Sequence, residues 1–314
     1  MTQDRPTLGI ALMLGFCVVA PMGDALAKIL SDKVALGQLL LVRFGIQALV
    51  LIPIIALTGR VWRMSGRVLS LTFLRTLMHI VGIGTMVSAL YYLPLADAIA
   101  IAFVMPFIML LLGHYVLGEE VGMRRMVACA VGFLGTLFVI QPSFQEVGWP
   151  ALLPLAVAIN FALFMLLTRK IAKETDPIGL QAVSGAMAVA LMAPVIFLVP
   201  DSALPILAWD DLLPVSTWTL LVAIGLSGTL AHLLMTWSLR YAPSATLAPM
   251  QYLEIPIATI IGFAVFGDLP DTMASVGIAI IVASGLYIVF REQAIGRRTA
   301  SAPVPDHAVQ TPAE

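Results

Sequence analysis

Apolar segments of bilayer-spanning length recur along almost the whole chain, and nothing constrains its fold more. A hydrocarbon core about 30 Å thick is crossed by a helix of ~20 mostly apolar residues. Ten segments meet that demand: 8–29, 34–57, 68–90, 94–117, 124–141, 148–168, 178–199, 215–238, 245–266 and 272–290. The connections between them are short, polar or charged. Backbone amides in hydrocarbon must be satisfied within their own segment, so the expected fold is an all-α integral membrane protein with ten transmembrane helices. Composition agrees. Only 11% of the 314 residues are charged, against about 25% in a soluble domain, which excludes a water-soluble enzyme. A net charge of −1 offers no footprint for nucleic acid. Cys17 and Cys129 lie in apolar runs with no CxxC and no His/Cys ligand spacing, so they read as small hydrophobes facing lipid or neighbouring helices and no metal site is expected.

Lysine and arginine set the orientation. With the N-terminus inside, thirteen fall on cytoplasmic segments: Arg5, Arg60, Arg63, Arg67, Arg124, Arg125, Arg169, Lys170, Lys173, Arg240, Arg291, Arg297 and Arg298. The opposite face has only Lys28 and Lys33, and its 200–214 loop is purely acidic (Asp201, Asp210, Asp211). Both termini are therefore expected in the cytoplasm. Arg5 followed by an apolar run with "ALA" at 25–27 imitates a secretory leader; Asp24 beside that site and the length of the run speak for a retained span. A cytoplasmic tail at 1–7 precedes the spans. After Arg291 the Ala- and Pro-rich segment 292–314, with His307, has no periodic apolar face and is expected to be disordered.

The chain repeats itself. "YYLPLADA" (91–98) reads against "RYAPSATL" (240–247), aligning Pro94 with Pro243. "MPFIMLLLGHYVLGEE" (105–120) reads against "IPIATIIGFAVFGDLP" (255–270), matching Pro106 to Pro256 and Gly118-Glu119 to Gly267-Asp268, and Gly135 matches Gly285. The offset stays at 149 or 150, which sets Val104 opposite Glu254. The halves, 8–141 and 148–291, hold five spans each. An odd number sends the second copy in from the opposite face, the inverted plan of many secondary transporters, whose site lies near the midplane between the halves.

These residues resemble the EamA family of the drug/metabolite transporter superfamily over 8–291. The best-matching stretch is "ALYYLPLADAIAIAFVMPFIMLLLGHYVLGEEV" with its echo "APMQYLEIPIATIIGFAVFGDLPD". The family carries a proline in its fourth and ninth helices, here Pro106 and Pro256, and a Gly-Glu pair after the fourth, here Gly118 and Glu119. Arg43 in "LLLVRFGIQALV" looks like its second-helix arginine. The resemblance implies a carrier in a bacterial-type inner membrane, without a bound cofactor. Its members move amino acids, nucleotide derivatives such as S-adenosylmethionine, vitamins such as riboflavin, and drugs, in either direction.

Ionisable groups inside spans cost about 2.5–3.5 kcal/mol each on insertion scales, so each needs a partner, water or a task. Arg43, His79 and Glu254 fall near mid-membrane, Arg75 and His232 in the cytoplasmic third, and Asp24, Lys28 and Asp97 toward the outer mouth. Arg75 and His79 share a face of the third span, Arg43 and Gln47 one of the second, and Gln251 and Glu254 nearly share one of the ninth. Polar stacking of this kind implies an aqueous cavity. The expected cavity set is Arg43, Arg75, His79, Gln251, Tyr252 and Glu254, serving substrate or a coupling proton; the bland alternative is an Arg43–Glu254 ion pair that only pins helices. Asp24 and Lys28, four apart, read as a structural pair or, with Asp97, as an outer gate. Pro21, Pro106, Pro249 and Pro256 are expected kinks. Phe103, Phe107, Phe161, Phe164, Trp237 and Tyr252 are candidates for stacking on a planar ligand, and Asn160 for an interhelical hydrogen bond.

"GLSG" at 225–228 imitates an intramembrane serine hydrolase, but His232 lies five residues after Ser227, turned about 140° away on the same helix. A membrane scaffold or sensor would not need mid-membrane charges. The function expected is a secondary carrier for a small polar metabolite or drug-like solute, in contact with the lipid bilayer, with protons as a candidate coupling ion and a monomer or homodimer as its state.

Overall fold

The structure, a computed structural model, describes residues 5–118, 122–199 and 204–300; side chains at 125, 129, 245, 248, 249, 288, 289 and 291–300 lie outside that description. It is all helical, with no strand among the described residues. The helices are α1 (Pro6–Ser31), α2 (Leu36–Thr58), α3 (Gly66–Tyr92), α4 (Leu95–Ala102), α5 (Met105–Leu117), α6 (Met123–Val147), α7 (Leu153–Ile171), α8 (Pro177–Leu198), α9 (Val215–Tyr241), α10 (Ser244–Gln251), α11 (Glu254–Phe266) and α12 (Thr272–Ala300). Short 3-10 turns at Trp149–Leu152 and Pro205–Leu207 precede α7 and α9. Taking Leu95–Leu117 as one unit, eight helices are long and apolar enough to cross a membrane, and Glu254–Phe266 and Thr272–Tyr287 are shorter apolar helices.

Local chemistry places the ends. Asp176 caps α8 by accepting from the amides of Ile178 and Gly179, both at 3.1 Å, and Pro177 takes the first turn, where its missing amide costs nothing. Gly59, Gly118 and Gly267 end α2, α5 and α11 with φ of 63°, 67° and 72°, a left-handed cap that glycine adopts without a Cβ penalty. Within the helices, hydroxyls such as Thr72, Thr76, Thr168 and Thr229 donate to the carbonyl four residues back, which satisfies them where no water reaches.

Two of the expected spans, 94–117 and 245–266, are each interrupted. Pro106 and Pro256 lack the amides that would reach Ala102 and Tyr252, and α4 ends at Ala102 and α10 at Gln251. The gaps are short turns with i→i−3 bonds: Val104 to Ile101 at 3.5 Å and Leu253 to Met250 at 3.2 Å. The prolines thus open second half-helices rather than bend continuous ones. Pro21 sits inside an unbroken α1. Pro249 belongs to α10, its ring outside the described side chains, and Glu119 lies outside the described residues. The helix boundaries repeat at 149 residues (95 to 244, 105 to 254), so Glu254 stands opposite Met105, not Val104. At the far end α12 runs to Ala300, past the expected start of the tail at 292; "REQA" and "RR" are strong helix formers. Residues 301–314 lie outside the described set.

Long-range packing joins α1 to α9, α3 to α7, α6 to α12 and α2 to α8. Large apolar side chains such as Leu49, Leu57, Phe197 and Phe290 face outward, while Arg43, Gln47, Arg75, His79, Gln181, Gln251 and Glu254 are buried. Polar inside and apolar outside is the arrangement a lipid solvent selects. The two ends also differ. At one, Arg60 pairs with Asp176 at 3.0 Å and Arg67 with Glu174 at 3.2 Å, while Arg169 donates to the carbonyl of Leu239 and Arg240 to that of Thr175. At the other, Lys28 meets Asp268 at 3.2 Å and Gln38 donates to the carbonyl of Asp210.

α6 and α12 touch through glycine. A Cβ at Gly135 would fall 2.8 Å from the carbonyl oxygen of Gly277, whereas Gly45 has nothing within 4 Å. Gly135→Leu is therefore expected to destabilise the protein by about 1–3 kcal/mol, the usual cost of overpacking, and Gly45→Leu by almost nothing. Thermal unfolding of the two variants in detergent checks this; equal melting temperatures would remove the close approach.

Candidate functional site

Several of the buried polar residues, among them Arg43, His79, His232 and Glu254, line one cavity inside the bundle. α1, α2, α3, α4, α5, α7, α9 and α11 all contribute to its wall. Along α3 the lining runs from Met78 to Val87 and along α7 from Phe164 back to Val157. The cavity therefore extends from mid-bundle toward the end opposite the basic loops.

Three charged side chains face it: Asp24 from α1, Arg43 from α2 and Glu254 from α11. None makes an ion pair within 4.0 Å or a side-chain hydrogen bond among the described residues, although Arg43 is only 7% and Glu254 8% exposed. The pinning Arg43–Glu254 ion pair is not formed. Glu254 owes its place to the interruption at 252–253, which makes it the first residue of α11. A helix N-terminus carries about half a positive charge, so the break puts a carboxylate where the backbone favours it.

The floor is aromatic. The rings of His79 and His232 lie 4.2 Å apart between centroids, with Phe44 5.0 Å and Phe164 4.8 Å from His79. Nδ1 of His232 donates to the carbonyl of Gly228 at 2.9 Å; its Nε2 and both nitrogens of His79 have no hydrogen-bond partner among the described residues. Under the floor lies Arg75, fully buried and outside the lining. Its guanidinium donates to Thr168 Oγ1 at 2.7 Å and Ser184 Oγ at 2.9 Å and covers the Phe164 ring at 4.4 Å. Arg75 thus ties α3 to α7 and α8 between the cavity and the basic end.

The expected cavity set is only partly assembled. Arg43, His79 and Glu254 meet at the cavity, and Arg75 plugs its base. Gln251 and Tyr252 are buried beside it, outside the lining: Gln251 donates to Met165 Sδ at 3.3 Å, and the Tyr252 ring packs 5.6 Å from Phe103. The outer set divides as well. Lys28 turns from Asp24 to Asp268 and to the carbonyl of Leu93 at 3.0 Å, because Asp24 faces inward. Asp97 accepts from Ser143 at 3.2 Å, away from the lining. Among the aromatic candidates Phe103, Phe161 and Phe164 line the cavity, while Phe107 stacks on Phe133 and Trp237 packs beside Leu51 and Ile55. Asn160 also lines it, and the missing Cβ of Gly82 makes room for its Oδ1. His232 is the site residue that the sequence reading left out; its signal was present, an imidazole within a span. Ser227 Oγ donates to the carbonyl of Ile224 at 3.3 Å, and no histidine is bonded to it.

The profile of the EamA-like transporter family matches residues 7–141 and again 148–290. A riboflavin transporter of Rhizobium johnstonii is 28% identical over 234 residues, 72% of each chain. A riboflavin transporter of Vibrio cholerae is 26% identical over 94% of this chain and 97% of its own. An S-adenosylmethionine uptake transporter of Rickettsia prowazekii is 23% identical over 91% of this chain and 93% of its own. A solved crystal structure superposes with a TM-score of 0.65 at 18% identity, covering 94% of this chain and 98% of that one, which supports the fold alone.

Arg75 is buried without a counter-ion, so removing it deletes two charged hydrogen bonds but also relieves a desolvation cost. Arg75→Ala is expected to lower the melting temperature, since it also leaves a void, and Arg75→Met to retain more of it. An alanine variant that melts like the native protein would show that Arg75 does not hold the floor.

Proposed function

Given that the chain belongs to the EamA-like transporter family and is thereby a membrane transporter of small solutes, we propose that it is a secondary carrier working by alternating access between two inverted halves. One observation carries this reading: three charged groups from three helices, on both sides of the repeat boundary, face one cavity with no ion pair within 4.0 Å among the described residues, though Asp24 and Arg43 are near enough for their charges to attract.

The repeat supports it. α4 and α10 have 8 residues each, α5 and α11 have 13, and α3 and α9 have 27. Packing exchanges in the same register: α1 on α9 answers α7 on α3, α1 on α11 answers α7 on α5, and α1 on α10 answers α7 on α4. With the two interrupted spans each counted once, the halves have five crossings apiece, and five make the second copy enter from the other side. The positive-inside rule then puts the basic end and both termini in the cytoplasm of a bacterial-type inner membrane. In this orientation the cavity is open outward and sealed inward by Arg75 and the packing beneath it.

The solute we propose is a small polar metabolite carrying a planar ring. Phe103, Phe161 and Phe164 offer faces to stack on, the free nitrogens of His79 and His232 offer hydrogen bonds, and Arg43, Asp24 and Glu254 offer charge. Riboflavin and S-adenosylmethionine, named for the relatives, both carry a planar nitrogen heterocycle. Uptake of each, radiolabelled, into proteoliposomes tests the proposal. Arg43→Ala and Glu254→Ala are each expected to cut uptake at least tenfold; full uptake in both variants overturns the assignment of the site.

A proton is the proposed coupling ion, with Glu254 as its carrier. Glu254→Gln keeps the shape and removes the titration. It is expected to abolish accumulation driven by a pH gradient while leaving solute exchange intact. Undiminished pH-driven accumulation in that variant defeats the coupling.

A further inference from the structure

The "GLSG" element has no hydrolytic partner, yet its two glycines occupy the seam where α2 lies on α9. A Cβ at Gly225 would fall 2.6 Å from Cβ of Ile46. One turn along, a Cβ at Gly228 would fall 2.8 Å from Nε, Cζ and Nη2 of Arg43. Ile46 and Arg43 are three apart on α2, as Gly225 and Gly228 are on α9, so the seam is a matched pair of contacts on facing helices. The two contacts differ in kind. Cβ of Ile46 is tied to the α2 backbone and can move only if the helix moves. The guanidinium is the far end of a flexible side chain and can move alone.

Arg43 supplies a second, independent observation. It is 7% exposed, lines the cavity and has neither a hydrogen bond nor an ion pair among the described residues. A buried guanidinium usually owes its direction to a carboxylate. Here no acid lies within 4.0 Å among the described residues, Asp24 attracting it only from farther away, and the bare backbone at Gly228 receives its flat face. The carbonyl of that same residue holds Nδ1 of His232 at 2.9 Å, so one position on α9 sets both a cation and an imidazole of the cavity.

We propose that Gly228 is a positioning residue of the transport site: by lacking a side chain it seats the Arg43 guanidinium flat against α9 and turns its donors toward the cavity, to meet an acceptor group, carboxylate, phosphate or carbonyl, on the solute. This rests on the carrier reading above. Gly228→Ala inserts a methyl group where the guanidinium lies and displaces the arginine without parting the helices. Gly225→Ala acts on the α2 backbone through Ile46 and puts no atom where the guanidinium lies.

The experiment uses the full chain in nanodiscs with 15N-labelled arginine side chains, the Arg43 Nε resonance being assigned by its loss in Arg43→Lys. In Gly228→Ala the Arg43 resonance is expected to shift, and the KM for riboflavin or S-adenosylmethionine in proteoliposomes to rise about tenfold with little change in maximum rate, as loss of one charge-assisted contact predicts. In Gly225→Ala, where the helix itself must shift, the melting temperature is expected to fall further than in Gly228→Ala. In an Arg43→Lys background Gly228→Ala should add nothing further to the KM, because lysine carries no planar group to seat. An unmoved Arg43 resonance in Gly228→Ala overturns the seat. A KM effect that persists with lysine at 43 overturns its action through Arg43. Should the native protein take up neither solute, the proposed solute class fails, while the resonance still decides whether Gly228 seats the arginine.

Discussion

A polar group inside a bilayer has no water to fall back on, and most of this structure follows from that. Main-chain amides are consumed by helix, hydroxyls by the carbonyl one turn back, and apolar side chains are spent on the outside. What remains is a small set of charged and amide side chains that helix formation cannot satisfy. Each is treated in one of two ways. Arg75 is given protein partners, Thr168, Ser184 and the face of Phe164. Arg43, Asp24 and Glu254 have no side-chain hydrogen bond or ion pair within 4.0 Å among the described residues and face the cavity instead. In hydrocarbon the second arrangement is affordable only if the cavity is wet or filled by a polar solute. Arg75 is hydrogen-bonded to neighbouring helices and Arg43 is not, which is why the proposed transport role falls on Arg43.

The forces closing the two ends are correspondingly modest. Arg60–Asp176 and Arg67–Glu174 have side chains between 22% and 58% exposed, and such pairs contribute about 0–1 kcal/mol each. Inverting a two-state equilibrium from 1:99 to 99:1 takes about 5.5 kcal/mol of differential binding. A solute whose affinity differs between states by a few kcal/mol can therefore reverse a seal of this kind, whereas a bundle locked by buried ion pairs would hold one state. On the proposed reading, weak latches at the rim and an Arg75 bonded to Thr168 and Ser184 at the floor let the halves rock.

Much of this was legible in the sequence because the signals were periodic or rare. The spans follow from runs of apolar residues. The repeat follows from proline and glycine at a fixed offset, and Arg43, His79 and Glu254 from being ionisable in oily surroundings. Direction around a helix was not legible. Asp24 and Lys28 are well spaced for a pair, yet α11 brings Asp268 to Lys28 and the fold turns Asp24 inward. Gln251 and Glu254 nearly share a face of one helix only if the helix is continuous; the turn at 252–253 separates them, and Gln251 finds Met165. His232 was left out of the expected cavity set because its partner, His79, is 153 residues away in sequence (232 − 79) and joins it only in the folded bundle.

The same interruption explains how two halves with one backbone plan come to differ in chemistry. In both, proline deletes an amide and the chain restarts a helix deep in the bundle, so each half presents a partly positive helix end. In the first half the restarting residue is Met105, in the second Glu254, and both line the cavity. A methionine leaves its helix end free to meet an anion, while a carboxylate neutralises its own and offers negative charge instead. Arg43 and Asp24, close enough for their charges to attract, line the same cavity. On the proposed reading the repeat supplies the geometry needed to rock, and the methionine-to-glutamate difference gives the two restarting helix ends unlike charge toward a solute between them.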